Sequence, residues 1–545
     1  MATLTGSTIA STYKQLLKVT SEGIGADASA KYIEDGLGTD SALSISTTRV
    51  GIGTAAPTAA KLEIHGGAWN TSLLIKGSGA NTGIKFVDSA GNIDGYVYSA
   101  SSIIGFLDAG GDYMVQCAND DSIKFSITAS DKMVLDANSR ISLSNNDGNT
   151  SNTVFGYNAF TNAGTVLGNV GADYNTAIGD LAMGTGTTTD AAYNVAVGYK
   201  ALEDITDGDF NVGVGNGAGL NLQTGSSNTI IGSAAGQSTV DVDNAVIIGR
   251  LAAGAAMDSD ADGTVAIGAS ALAALTSGGS NTAVGYQSMD ATTTGGGNTA
   301  LGYQSLSGDT DGNGADNTAL GHKTLLTATS PSKNVAIGDS AMRYMDASAD
   351  SIANCVAIGA NAFAGTTDTT TGTNGTIAVG YNALTSLTTG AGNTAVGYTA
   401  MNDLVDGARN TAIGYNAFGG TFVDTTADSS TDNTFIGHNA GSGNWTTATS
   451  LYNVGIGSGV MRGAMYGASE NIGIGYEALA ALTTGDGNTV MGFQSGDAVT
   501  TQSNLTLLGH RTGGAINDNA ADGTVAVGAS ALIALTTGAG NTAVG

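Results

Sequence analysis

Two short stretches hold the side chains best spaced to do chemistry. Asp258-Ser259-Asp260-Ala261-Asp262-Gly263 and Asp309-Thr310-Asp311-Gly312-Asn313-Gly314 both read Asp-x-Asp-x-Asp/Asn-Gly. Alternating oxygen donors before a glycine turn are the first half of a calcium loop, where hard ligands converge on a hard cation. The second half would bring a bidentate glutamate, but Ala269 and Leu320 stand at that position. Two readings stay open. Asp258, Asp260, Asp262, Asp309, Asp311 and Asn313 are calcium ligands, or they are acidic turns held in solvent.

The remaining reactive residue types do not assemble into a catalytic pattern. His322, His438 and His510 follow a recurring glycine, in a slot that elsewhere holds Tyr286, Tyr303, Tyr381, Tyr398, Tyr415 and Tyr476. A histidine in a repeated aromatic slot reads as a ladder residue. His65 sits beside Gly66-Gly67 with no evident partner. After residue 150 the only glutamates are Glu203, Glu470 and Glu477, so no repeated carboxylate pair suggests glycoside cleavage. Cys117 and Cys355 give neither a disulfide framework nor metal spacing. Gly-x-Gly matches carry no weight in a chain with 84 glycines. The expectation is no catalytic site, no enzyme, and no cofactor other than calcium.

Asn281-Thr282-Ala283-Val284-Gly285-Tyr286 recurs at 298–303, 393–398 and 410–415 with small changes. With looser copies the motif occurs 23 times, each marked by one glycine from Gly156 to Gly545, and eleven of the 22 intervals are 17 residues. A fixed period with insertions marks a stacked-repeat architecture. Three residues before the anchor glycine every copy is Thr, Val or Ile; one before, every copy is apolar; two before, Ala dominates. This alternation predicts one short strand per copy. The Thr/Val/Ile face is expected to pack the core, and the Ala/Gly face to let another backbone approach closely. Tyr381–Leu387 supplies two further inward apolar residues, and Thr388–Gly392 turns the chain back. Parallel neighbours about 4.8 Å apart would stack such coils into a rod on the order of 100 Å long. The predicted fold is all-β: a parallel β-solenoid, or β-roll, of about 23 coils.

Composition agrees with an ordered rod. Hydrophobic content is 41%, enough to rule out a disordered glycine-rich chain, and only Pro57 and Pro331 would interrupt a ladder. The net charge is −28, of which −23 falls in residues 151–545. An acidic rod does not bind nucleic acid by neutralising phosphates. No stretch reads as a signal peptide or a membrane span.

Three regions follow. Residues 1–60 form an N-terminal attachment region, in which Ile9, Tyr13, Leu16, Leu17 and Val19 predict a short amphipathic helix over 8–20. Its apolar face either folds back on its own domain or docks onto a larger assembly. Residues 61–149 form a β-rich domain, with strands at 73–75, 84–87, 96–98, 103–107, 123–127 and 133–135. Residues 150–545 form the solenoid shaft.

Asn334-Val335-Ala336-Ile337-Gly338 and Asn194-Val195-Ala196-Val197-Gly198 resemble the head repeats of YadA-type trimeric adhesins, whose heads are parallel β-rolls of three chains. Val50-Gly51-Ile52-Gly53-Thr54-Ala55-Ala56-Pro57 with Lys61-Leu62-Glu63-Ile64 resembles a stretch near the start of bacteriophage tail-fibre repeat regions, and Tyr13–Val19 resembles the opening of phage fibre proteins. The resemblance implies a homotrimeric virion fibre made in the host cytoplasm. Its N-terminus would join tail or baseplate proteins, and it would carry binding to a host cell-surface receptor without inserting into a membrane. A bacterial surface trimeric adhesin and a polysaccharide-degrading solenoid enzyme are the alternatives. Ice binding through threonine rows is weakened because the regular Thr shares its place with Val at a position read as core.

Two further expectations complete the reading. A homotrimer would place the Ala/Gly strand face, or another small-residue face of the coil, near a neighbouring chain, and Val284→Asp would be severe as a buried charge. The end at Asn541-Thr542-Ala543-Val544-Gly545, inside a motif, predicts a longer natural polypeptide carrying more coils, a cap and a receptor-contacting tip. By family resemblance, that extension would include a self-cleaving trimerisation chaperone.

Overall fold

The computed structural model describes strand segments between residues 18 and 142. It also describes residues 152–545 apart from 161–171, 187–189, 310–311, 329, 346–351, 366–371, 423–428 and 447. The chain divides into two compact units, Met1–Ser142 and Leu143–Gly545.

The first unit holds two sheets. Lys18–Val19, Lys31–Glu34, Asp40–Ile45, Val50–Ile52 and Leu62–Ile64 form a five-stranded sheet in chain order. Val50–Ile52 pairs in parallel with Leu62–Ile64, so this sheet crosses the expected boundary at residue 60. The helix expected over 8–20 does not reach its last residues: Lys18 and Val19 are extended and pair with Glu34 and Ile33. Strand pairing there satisfies backbone groups that a short helix end would leave open. Residues 8–17 lie outside the described residues.

Seven strands then form an antiparallel meander from Asn81–Val87 to Ile141–Ser142. The expected strands at 84–87, 96–98, 103–107, 123–127 and 133–135 fall within it, and Tyr113–Ala118 is a strand the sequence reading missed. The expected strand at 73–75 and His65 lie outside the described residues.

The second unit is the solenoid. Its sheet has 22 parallel strands in strict chain order, from Thr153–Phe155 to Thr542–Val544, each three residues long where described. Register follows the repeat: Thr282 pairs with Thr299, Ala283 with Ala300 and Val284 with Leu301. Thr153–Phe155 pairs directly with Thr176–Ile178, and the motif copy marked by Gly168 lies outside the described residues.

The facing of the strand is the opposite of the expected one. In strand after strand the middle residue is buried and its two neighbours are not: Ala283, Ala300, Ala336 and Ala395 are fully buried, while Leu301 is 47% exposed. Alanine therefore points into the coil, and Thr/Val/Ile with Val/Ile/Leu point out. The cause is the width of the coil. Most of the interior is filled from the return path, by Leu272 and Leu275 or Leu384 and Leu387, which leaves room for only a methyl group opposite.

Where the strand does carry a large inward residue, the return path shrinks. A Cβ on Gly236 would press on Ile247 and Ile230, one on Gly441 would overlap the Phe435 ring, and one on Gly513 would crowd Leu507. Conversely, Gly213 in the strand slot faces Leu202. Size is thus traded between the two slots, within one coil or, as for Gly213 and Leu202, between adjacent coils, as a close-packed interior demands.

The return path bends by putting alternate residues in the left-handed region, such as Ser270 (φ 57) and Leu272 (φ 52). That conformation costs on the order of 1 kcal/mol for a non-glycine residue. It is offset because successive amides then reach opposite neighbours: Ser270 N–H donates to Arg250 O below (2.9 Å) and Leu272 N–H to Ser288 O above (3.0 Å). The anchor glycine has a different role. Gly285 has φ 138, and a Cβ there would overlap the carbonyl of Gly302 in the next coil. The close backbone approach expected at this glycine is thus made by the next coil of the same chain.

Candidate interaction surface

The outward residues of the strands make two parallel rows along the rod. One row holds Thr, Val or Ile throughout; the other holds Val, Ile, Leu, Met or Phe. No charged residue stands in either row over all 22 strands. Ile178, Leu301, Leu320, Ile413, Ile456 and Met491 are exposed members. At about 4.8 Å per step and about 7 Å between rows, the stripe covers on the order of 700 Å². Thr holds 12 of the 22 places in the first row, so the continuously apolar part is the second row, an uncharged strip as long as the sheet. The meander of the first unit also bares apolar side chains: Ile84, Phe86, Ile104, Phe106, Met114 and Phe125 are exposed.

Beside the stripe, just past the anchor glycine, run the aromatic ladders. Tyr286, Tyr303 and His322 stack at 5.6 and 5.3 Å. Tyr381, Tyr398, Tyr415 and His438 stack at 5.2, 5.1 and 5.3 Å, and Tyr476, Phe493 and His510 at 5.1 and 5.3 Å. Each of these three histidines is the last ring of its stack, and His322 Nδ1 also meets Asp339 Oδ1 at 2.7 Å. The ladder reading of these histidines is what the geometry displays. A fourth stack, Tyr174, Tyr193 and Phe210, lies on the other side of the strands.

A further ladder is internal, and the sequence reading gave it no role. Four residues before the anchor glycine, Asn281, Asn298, Asn317 and Asn334 are buried one above the other. Asn298 N–H donates to Asn281 Oδ1 (3.0 Å), Asn298 Nδ2 donates to Gly314 O (2.7 Å), and Asn317 N–H donates to Asn298 Oδ1 (3.0 Å). Each amide thus satisfies a backbone donor and a backbone acceptor that the corner of the coil would otherwise bury unpaired. The signal was in the sequence, since Asn precedes most strands. Cys355 takes the same slot, donates to Thr373 O (3.3 Å), and has its thiol pushed up by burial.

In the two acidic loops, the side chains of Asp258, Asp262, Asp309 and Asn313 hold backbone or side-chain partners of their own. Asp258 caps a single 3₁₀ turn, Ser259–Ala261, by accepting from Asp260 N–H (3.0 Å). Asp262 Oδ1 accepts from Asp243 N–H in the coil below (2.7 Å). Asn313 Oδ1 accepts from the Thr294 hydroxyl at the surface (2.6 Å). Asp311 lies outside the described residues. Among the described residues no group of three or more His, Cys, Asp or Glu is placed to hold a metal ion.

Asp309 is the exception among these carboxylates. It is fully buried in the interior slot that Leu275, Leu387, Leu404 and Leu482 fill elsewhere. Its Oδ2 accepts from Gly314 N–H (3.0 Å), while Oδ1 is buried without a well-formed hydrogen bond. Burial pushes its carboxyl above the usual carboxylate range, against the pull of the Gly314 amide. Ser288, Thr292, Ser305 and Thr324, all fully buried, make these coils the most polar part of the interior. Among the described residues no helix is long and apolar enough to cross a membrane.

Comparison with protein-family models, with curated proteins and with solved structures finds no match to this chain.

Proposed function

We propose that the chain is the shaft of a fibre and packs against identical chains through the outer face of its sheet. The observation that carries this reading is the uncharged double row over 22 strands in a chain of net charge −28. A surface free to evolve in water would pick up charge somewhere along such a length. An identical chain is the partner whose repeat matches this one coil for coil, so its rows register over the whole face. The resemblance to trimeric head repeats and to phage fibre openings supports a count of three and a virion appendage reaching toward a host surface.

Sedimentation equilibrium of the full chain tests the reading. The expected mass is three times 53.5 kDa. A single-chain mass at micromolar concentration refutes self-association. Val396→Lys with Ile413→Lys, which puts two charges into the outer row, is expected to disperse the assembly while leaving the β-sheet circular dichroism unchanged.

A further inference from the structure

Near the last coils the outer surface is not flat. Asp497, Gly514 and Ile533 are equivalent residues of three successive coils, each five after its anchor glycine. The middle one has no side chain, so the ridge they form dips there. Gln494 and Arg511, each two after the anchor, wall the dip on one side. The result is an open groove of about 270 Å³ lined by Gln494, Asp497, Arg511, Gly514 and Ile533. A Cβ on Gly514 would lie 3.4 Å from Asp497 Oδ1 and 3.7 Å from Ile533 Cγ1, so the two side chains flank the space a larger residue would fill.

The polar wall is held in place. Arg462 Nη2 donates to Glu477 Oε1 (2.8 Å), and Gln494 Nε2 donates to Glu477 Oε2 (2.9 Å). Arg511 Nε and Nη2 both donate to Gln494 Oε1 (3.1 and 3.0 Å). The relay fixes the guanidinium plane and leaves further N–H donors on Arg511. The groove therefore sets guanidinium donors along one wall of a space bounded at its two ends by the Asp497 carboxylate and the aliphatic side chain of Ile533.

We propose that this groove binds one neutral hexose unit of a polysaccharide. Each sugar hydroxyl both donates and accepts, so adjacent hydroxyls can bridge Asp497 and Arg511 together. The C–H face of a pyranose suits Ile533. Asp497 and Glu477 close to the site, on a chain of net charge −28, work against acidic sugars. Two coil steps, about 9.6 Å between Asp497 and Ile533, leave room for one ring. The aromatic stack nearby does not supply the platform, because the Phe493 ring is sandwiched between Tyr476 and His510. The proposal stands apart from the shaft reading, since the groove belongs to one chain and lies off the outer rows.

Saturation-transfer NMR on the full chain tests it. The probes are methyl glycosides of glucose, mannose and galactose at millimolar concentration, with sialyllactose as the acidic comparison. At least one neutral glycoside is expected to receive saturation. Gly514→Val, which fills the dip at a residue without a left-handed φ, is expected to weaken that binding at least tenfold, and Asp497→Ala likewise. Gly254→Val, at the same slot of a remote coil, is expected to leave it unchanged. The proposal is overturned if no neutral glycoside receives saturation, if sialyllactose binds more tightly, or if Gly514→Val binds as the parent does. Sedimentation of Gly514→Val reads the shaft separately, and its mass is expected to match the parent.

Discussion

Ala283 and Val284 are neighbours on one strand, and they belong to different environments. Ala283 has no exposure and touches the interior; Val284 belongs to the half-open outer row. In most globular sheets the larger aliphatic residue is the buried one. Here the smaller one is, because the inner space of a coil is narrow and already filled by Met289 from the return path. The lesson is that size does not report facing when the core is thin. What reports it is the trade between slots: Ile230 with Gly236, Phe435 with Gly441, Leu507 with Gly513.

The sharpest way to break this contrast is a pair of variants. Ala283→Asp puts an unpaired carboxylate into the interior and is expected to cost several kcal/mol. Val284→Asp puts one into the outer row and is expected to cost about 1 kcal/mol or less in the isolated chain. Thermal or urea unfolding at dilute, monomeric concentration measures both. Equal losses, or a larger loss for Val284→Asp, would restore the facing expected from the sequence.

The inner face also depends on the asparagine corner. Asn298→Ala removes the acceptor for Asn317 N–H and the donor to Gly314 O in one step. Both groups are then buried without partners, at an expected cost of about 1–3 kcal/mol. Asn313→Ala, at the surface of a neighbouring turn, is expected to change stability by about 0.5 kcal/mol or less. Denaturant midpoints of the two variants that coincide would show the ladder to be dispensable.

Much of the solenoid was legible before any coordinates. Near-identical stretches such as Asn281–Tyr286 and Asn393–Tyr398 must adopt one conformation, and a short apolar strand repeated at one period has parallel stacking as its natural pairing. Facing was not legible, because a three-residue strand alternates correctly under either assignment. The left-handed positions were not legible either, since Leu272 and Met289 are not residue types that favour them. Asp309 looked like a turn carboxylate from its neighbours in sequence. Its interior place emerges only when it is aligned by slot with Leu275 and Leu404. Local spacing in the acidic loops likewise gave no sign that Asp262 reaches the backbone of the coil below. The groove at Gly514 had no sequence signal, because its walls come from three coils.

The finest test of the inner face is an exchange between slots. Ala283→Ile alone adds three carbons opposite Met289 and is expected to cost about 1–3 kcal/mol through overpacking. Met289→Gly alone empties the return-path slot and is expected to cost about 2–5 kcal/mol as a cavity, plus the entropy of the glycine. Together they copy the natural pair Ile230 and Gly236, whose side-chain volumes already coexist in one coil. Met289 has φ 52, so glycine enters there without backbone strain. The double variant is therefore expected to lose less stability than Met289→Gly alone, a coupling of the kind seen between residues that share one cavity. Some loss remains, because Ile at 283 must also pass the small residues Ala266 and Ala300 stacked on it. A double-mutant cycle in urea gives the coupling directly. Additive losses would mean that the two slots do not share one space, and the volume trade seen along the rod would then be coincidence.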